Sequence, residues 1–124
     1  MTRHPLSHLS SSDQAALFEF SHRLRHQFGN RIVHVWFFGS KARGDADAES
    51  DIDLLVVALQ ADWALEKSIA RLAFQVDMAY GTVLSPHVVG RQRFAQMKAR
   101  REPLFASIVA EGTDLWTLEP TTTT

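Results

Sequence analysis

Hydrophobic positions along the chain recur at helical spacing in two long segments. The first runs from the possible N-caps at residues 10–13 to Gly29, and its apolar side chains fall on one side of a helix. The second runs from Asp62, another possible N-cap, to Gly81. The pattern therefore predicts two amphipathic helices, each ended by a glycine.

Between and after these helices, the apolar residues form short continuous runs rich in β-branched and aromatic types. Such runs at 32–38 and 52–59 predict two strands, mostly buried, and 82–89 predicts a third. Pro86 lacks a backbone donor and suits an edge strand or a bulge. The first two strands follow one another closely, so we expect a small mixed sheet.

The rest of the chain is predicted to be helical, restarted by Pro103 and stopped by Gly112. The predicted order is α, β, β, α, β, α, α, which indicates an α/β (α+β) fold with helices packed on the sheet. We expect one domain over 1–124, with its core at about 12–118 and a disordered tail at 119–124.

Composition narrows the possible functions. The 124 residues carry 13 Lys and Arg against 14 Asp and Glu, so no basic field favours nucleic acid as a partner. The absence of cysteine excludes disulfides, thiolate metal sites and cysteine nucleophiles. The first residues lack the apolar core of a signal peptide and no aliphatic run is of membrane-spanning length, so we expect a cytoplasmic protein.

Candidate chemistry is concentrated in the segment FFGSKARGDADAESDIDLLVV, residues 37–57. In a strand, Asp51 and Asp53 would project from one face while Ile52 points to the other. Two adjacent carboxylates repel each other unless a cation neutralises them, and oxygen ligands suit Mg²⁺ bound to a substrate phosphate. The pair therefore predicts a metal site.

The glycine and serine that open this segment suit the phosphate end of such a substrate. Gly39 lets a ligand approach the backbone, and Ser40 supplies a hydroxyl and the possible start of a short helix with free N–H groups. Lys41 and Arg43 could contact the substrate or pair with the acidic loop that follows, and the sequence leaves both alternatives open. The segment matches neither the P-loop nor the dinucleotide-binding glycine motif.

The segment GSKARGDADAESDID has the form G-S, ten residues, then D-x-D. In this it resembles the nucleotidyltransferase superfamily related to DNA polymerase β, and specifically its minimal nucleotidyltransferases. The resemblance is strongest over 37–57, and the order of elements over 32–112 is similar too.

The resemblance implies a set of functional residues. It implies that Asp51 and Asp53 are catalytic and bind metal. The residues it implies for the nucleotide phosphates are Gly39, Ser40, Arg43 and Ser50. It also implies Mg²⁺ as the metal, ATP as the substrate, and in-line attack on the α-phosphate with pyrophosphate leaving.

One feature departs from the pattern of this family. Catalytic members carry a third carboxylate on the strand that follows, but residues 82–89 contain none. Asp77 is the nearest upstream acid and belongs to the preceding helix, and His87 is a poor Mg²⁺ ligand. The sequence therefore does not provide an evident second metal site or general base.

Minimal nucleotidyltransferases often pair with a helical toxin of the HEPN type, and the resemblance implies that this chain is the antitoxin, which adenylylates a tyrosine of that partner. One alternative is a noncatalytic module that neutralises a helical partner by covering it. Another is a small-molecule or RNA nucleotidyltransferase whose acceptor-binding domain belongs to a separate chain.

Other potential functional residues have simpler interpretations. His22 and His26 have the spacing of a helical zinc pair, but they lie opposite the apolar stripe and are expected to be solvated. At least two of the aromatic residues 36–38 are expected in the core. Trp63 and Trp116 would indicate an interface if they are exposed.

Overall fold

A computed structural model of the chain describes residues 6–45 and 50–117. Over these residues, helices and strands alternate in the predicted order, with a short helix added after the first strand and a short strand at the end. The elements are α1 Ser11–Phe28, β1 Ile32–Phe38, α2 Ser40–Arg43, β2 Ile52–Ala58, α3 Trp63–Tyr80, β3 Leu84–Gly90, α4 Arg91–Ala99, α5 Pro103–Glu111 and β4 Thr113–Asp114.

The strands form one mixed sheet in the order β3-β2-β1-β4. β1 pairs with β2 in the antiparallel direction, whereas β2 and β3 run parallel and are joined through α3. The predicted mixed sheet is confirmed. β3 lies at an edge, and Pro86 therefore occupies the position expected of a residue without a backbone donor.

Alternating side chains of β2 build two cores, one on each face of the sheet. Ile52, Leu54 and Val56 are fully buried and belong to the larger cluster, which α1 and α3 cover. Leu55 and Val57 point the other way and pack in a smaller cluster that includes a residue of α5. The sheet is thus a middle layer, which explains why β2 is hydrophobic on both faces.

The ends of the two long helices follow the sequence signals. Ser10 Oγ accepts a hydrogen bond of 3.1 Å from the backbone N–H of Asp13, and Asp62 Oδ1 accepts one of 2.8 Å from that of Leu65. Gly81 ends α3 in the left-handed conformation, with φ of 69°. These capping bonds confirm the predicted helix starts at residues 10–13 and 62.

The structure corrects the expected strands in three places. β2 begins at Ile52 as predicted, which leaves Asp51 just before the strand, but it ends at Ala58 rather than at 59, and β3 covers Leu84–Gly90 rather than 82–89. β4 was not predicted, because a strand of two residues carries no periodic signal. The tail expected at 119–124 lies outside the described residues.

Several side chains have the expected environment. His22 and His26 are exposed, and Phe37 and Phe38 are buried. In the described part of the chain, no helix is both long enough and apolar enough to cross a membrane.

Candidate active site

The candidate site lies where β1 ends and β2 begins. The antiparallel pairing places Phe38 opposite Asp53, so the turn that starts at Gly39 adjoins the carboxylates at the start of β2. The parallel pairing brings the start of β3 beside them and places Ser85 opposite Asp53. Sheet pairing therefore assembles the two halves of the motif that the sequence separates by ten residues.

Gly39 contacts Asp53 so closely that no side chain fits between them. A Cβ atom built on Gly39 would lie 2.3 Å from Asp53 Oδ2 and 3.2 Å from Asp53 Cγ. Gly39 also has φ of 88°, in the region that L side chains rarely adopt. The lack of room for a side chain and the backbone conformation thus both require glycine at position 39. The carboxylate of Asp53 therefore packs directly against the backbone of the turn.

The two carboxylates have different surroundings. Asp53 is half-buried, and burial raises the pKa of its carboxyl group above the ordinary value. Electrostatic interactions with His87 and then Arg43 lower this pKa, whereas the negative charge of Asp51 raises it. Asp51 is exposed and precedes the strand, so the expectation that both aspartates project from one strand is wrong, although they interact electrostatically.

This pair suits a cation that a substrate also helps to bind. Ionised Asp53 is disfavoured by burial and by Asp51, and a divalent cation would relieve both effects. Among residues 6–45 and 50–117, no cluster of three or more His, Cys, Asp or Glu is placed to hold a metal ion. Two carboxylates that share Mg²⁺ with substrate phosphates need no such cluster.

Asp77, the nearest upstream acid, has a structural role. Its Oδ1 accepts hydrogen bonds of 2.9 Å from Thr82 Oγ1 and from the backbone N–H of Leu84. Burial raises the pKa of Asp77, and the charge of Asp51 adds to the increase. Asp77 therefore fixes the connection from α3 into β3 while it lies within the electrostatic range of Asp51.

The two candidate serines flank the site on either side. Ser40 is half-buried and begins α2, and its carbonyl oxygen accepts bonds from the N–H groups of Gly44 at 3.0 Å and Asp45 at 3.2 Å. The first N–H groups of such a turn have no partner within the helix. Ser50, also half-buried, immediately precedes Asp51.

Arg43 is held between two carboxylates. Its Nη1 donates to Glu111 Oε2 at 3.0 Å, and its Nε donates to Asp45 Oδ2 at 3.1 Å. Hydrogen bonds to Glu111 and then Asp45 raise the pKa of the guanidinium group. The sequence left open whether Arg43 pairs with the acidic loop, and the structure shows this pairing with Asp45. The pairing with Glu111 was not predicted, because Glu111 is distant in sequence.

Lys41 has an unexpected partner in α1. Its side chain is only 8% exposed, and Nζ donates to Asp13 Oδ2 at 2.7 Å. His8 Nε2 also lies 2.7 Å from the carbonyl oxygen of Lys41. These contacts tie the turn to α1 and pair the charge of Lys41 with Asp13.

Removal of the Lys41 charge is expected to destabilise the protein strongly. Lys41→Met leaves Asp13 buried without its ion partner, and we expect a loss of about 3 kcal/mol in the free energy of unfolding. The additional change Asp13→Leu should restore much of this loss, because it removes the stranded charge. Urea denaturation measures both effects.

Lys98→Met is the matched control, because Lys98 is exposed on α4. This change should alter the free energy of unfolding by less than about 0.5 kcal/mol. A similarly small effect of Lys41→Met would contradict the structural role of the ion pair.

A cleft of about 950 Å³ opens beside the carboxylates. Its lining includes residues of α3 and β3 and one residue of α5. Asp53, Trp63, Lys67 and His87 are among the residues that line it.

The family model described as a nucleotidyltransferase domain matches residues 18–110. The chain is 32% identical over 84 residues to "Putative protein adenylyltransferase MJ0604" of Methanocaldococcus jannaschii. This alignment covers 67% of the chain and 79% of the relative.

Solved structures show a similar fold. A structure described as a putative minimal nucleotidyltransferase has a TM-score of 0.54 at 27% identity, and the match covers 88% of this chain and 99% of the other. A toxin–antitoxin structure with AMP-PNP has a TM-score of 0.55 at 19% identity, with 89% and 76% covered. The expected fold class is confirmed by these matches.

Proposed function

The chain belongs to the nucleotidyltransferase domain family, a family of nucleotide-transferring enzymes, and from this we propose that it transfers AMP from ATP to a hydroxyl group of a partner protein, with Mg²⁺ as the cofactor. The observation that carries the proposal is the packing of the Asp53 carboxylate against Gly39, with Asp51 beside it. This arrangement brings a metal-binding carboxylate next to a backbone turn suited to phosphate.

Each candidate residue has a role in this proposal. Gly39 and Ser40 bind the nucleotide phosphates through backbone N–H groups and the serine hydroxyl, and Ser50 adds a second hydroxyl beside the carboxylates. Arg43 contributes positive charge close to Asp53. The metal ligands are Asp51 and Asp53, and bound Mg²⁺ would neutralise charge on the phosphates during transfer.

The reaction is a substitution at the α-phosphorus. The acceptor oxygen forms a bond to this phosphorus, the bond from the phosphorus to the oxygen that bridges to the β-phosphate breaks, and pyrophosphate leaves. The proton of the acceptor hydroxyl passes to solvent water. The residues of this chain mainly position the reactants, because phosphoryl-group transfer needs orientation and charge stabilisation more than covalent catalysis.

The acceptor in this proposal is a tyrosine of a helical toxin of the HEPN type, and the chain acts in the cytoplasm as its antitoxin. Support comes from a relative named as a protein adenylyltransferase and from a solved neighbour that is a toxin–antitoxin pair.

A second candidate is a noncatalytic antitoxin that neutralises its partner by complex formation. The observation that favours it is that β3, which pairs with β2 beside Asp53, carries no carboxylate. In that case, the nucleotide would be bound without being transferred.

The test is transfer of α-labelled ATP, with Mg²⁺, onto the protein encoded by the adjacent reading frame. We expect label on the partner protein, and no label when EDTA removes the metal. A stable complex of the two proteins that acquires no label would contradict transfer and favour the noncatalytic antitoxin.

A further inference from the structure

α3 exposes large apolar side chains on the side that faces away from the core. Trp63 is 73% exposed, Phe74 64% and Met78 72%. With about 100° of rotation per residue, Trp63, Phe74 and Met78 fall within about 60° of one another, and Lys67 and Ala70 widen this sector to about 80°. We call these five residues the outer face of α3.

The outer face lies opposite the face by which α3 packs on the sheet. Leu65, Ile69, Leu72 and Val76 are all buried and belong to the larger core cluster. Isolated exposed apolar residues are common, but three large ones aligned on one helix form a patch typical of an interaction site. Trp116, in contrast, is half-buried beneath the guanidinium group of Arg25 and is not part of such a patch.

The cations of the outer face are arranged asymmetrically. Lys67 Nζ lies 4.7 Å from the centre of the Trp63 ring, and exposed Arg71 borders the same side. Exposed Glu66 borders the opposite side. The apolar face therefore has a basic margin and an acidic margin.

This charge pattern does not favour an antiparallel second copy of the chain as the occupant. An antiparallel two-fold pair of α3 helices would have its midpoint near residues 70–71 and would bring like margins together. Arg71 would then face Arg71 of the second copy, which is repulsive. A different protein that places acidic side chains opposite Lys67 and Arg71 is complementary.

One end of the outer face reaches the candidate active site. Trp63 and Lys67 also line the cleft that contains Asp53 and His87. A partner that lies along α3 is thereby brought beside the carboxylates without a change in the fold.

We propose that the outer face of α3 is the docking surface for the acceptor protein, which presents an apolar helix face with acidic side chains toward Lys67 and Arg71. This inference rests on the proposed function, because it requires a protein acceptor. It adds the surface that recognises the acceptor and the chemistry of the complementary surface.

The test measures the Kd between the full chain and the protein encoded by the adjacent reading frame. Phe74→Ser and Met78→Ser should each raise the Kd by about tenfold or more, since buried aromatic and methionine side chains anchor interfaces. Val109→Ser is the matched control, because Val109 is 56% exposed on α5 in the opposite layer. We expect the control to change the Kd by less than about twofold.

Charge reversal and sedimentation extend this test. Arg71→Glu should also weaken the complex, and more salt should weaken the wild-type complex. Unchanged affinity of the Phe74 and Met78 variants would overturn the proposal. So would sedimentation of the isolated chain as a dimer that Phe74→Ser dissociates, because a second copy would then be the occupant.

Binding and transfer distinguish this inference from the proposed function. The wild-type chain could bind the partner without labelling it from ATP, while the outer-face variants bind it more weakly. That result supports the docking surface and contradicts transfer. If these variants bind the partner with the wild-type Kd and label it at the wild-type rate, the docking surface is contradicted but the proposed transfer is not. A wild-type chain that forms no complex and labels no protein overturns both.

Discussion

Asp53→Asn is expected to reduce nucleotide transfer by about 10³-fold while it raises the melting temperature. This change would remove a proposed metal ligand, and about 4 kcal/mol of lost transition-state stabilisation corresponds to that change in rate. The folded protein nevertheless gains stability, because burial and the charge of Asp51 disfavour ionised Asp53. We expect an increase of about 1–3 °C at pH 7.

The stability gain should depend on pH in a defined direction. The pKa of Asp53 is raised in the folded protein, so its ionised form costs stability above that pKa. This cost disappears as the pH falls through the folded pKa toward the unfolded value. The difference in melting temperature between Asp53→Asn and wild type should therefore shrink at acidic pH.

Thermal unfolding and labelled-ATP transfer measure the two effects of Asp53→Asn. Glu19→Gln is a suitable control, since Glu19 lies on α1 outside the site and its loss also removes one negative charge. This control should leave transfer unchanged. A normal transfer rate for Asp53→Asn would show that Asp53 does not bind the catalytic metal.

Gly39→Ala is expected to damage both the fold and the nucleotide site. The new methyl group would lie 2.3 Å from Asp53 Oδ2, and the residue would need φ of 88°. Backbone strain and overpacking together should lower the free energy of unfolding by about 2–5 kcal/mol. Since the carboxylate must move to relieve the contact, binding of Mg²⁺ and ATP should fall below detection.

Gly81→Ala separates backbone strain from the contact with Asp53. Gly81 also has a positive φ, of 69°, but a Cβ atom there would have nothing within 4 Å. This variant should lose about 1–2 kcal/mol and retain nucleotide binding. Urea unfolding measures the stability of both variants, and calorimetric titration with Mg²⁺ and ATP measures their nucleotide affinity. If Gly39→Ala binds the nucleotide as tightly as the wild type, the proposed site is contradicted.

The sequence predicted the elements with strong periodicity and clear boundaries. β1 was predicted with its observed bounds, and α3 begins and ends next to the residues expected to cap it. These predictions succeed because periodicity and capping depend on neighbouring residues. The ends of β3 show the limit of this reasoning, since they depend on where pairing with β2 begins and stops.

Contacts between distant segments could not be predicted from the sequence. Asp13 and Lys41 are 28 positions apart, and Arg43 and Glu111 are separated by 68. For charged residues so far apart in the chain, the sequence does not show which ones will form an ion pair. The apolar periodicity of α3 likewise identifies its core face but not the exposure of Phe74, because exposure depends on what the rest of the fold covers.

The pairing of Phe38 with Asp53 places the candidate phosphate turn and both candidate metal ligands on one hairpin. The proposed partner surface lies on a different segment, α3. Evolution can therefore vary the residues of α3 that select a partner with little change to the residues that bind the nucleotide. A lineage of such chains could acquire new acceptors through substitutions on one helix while it keeps the same chemical step.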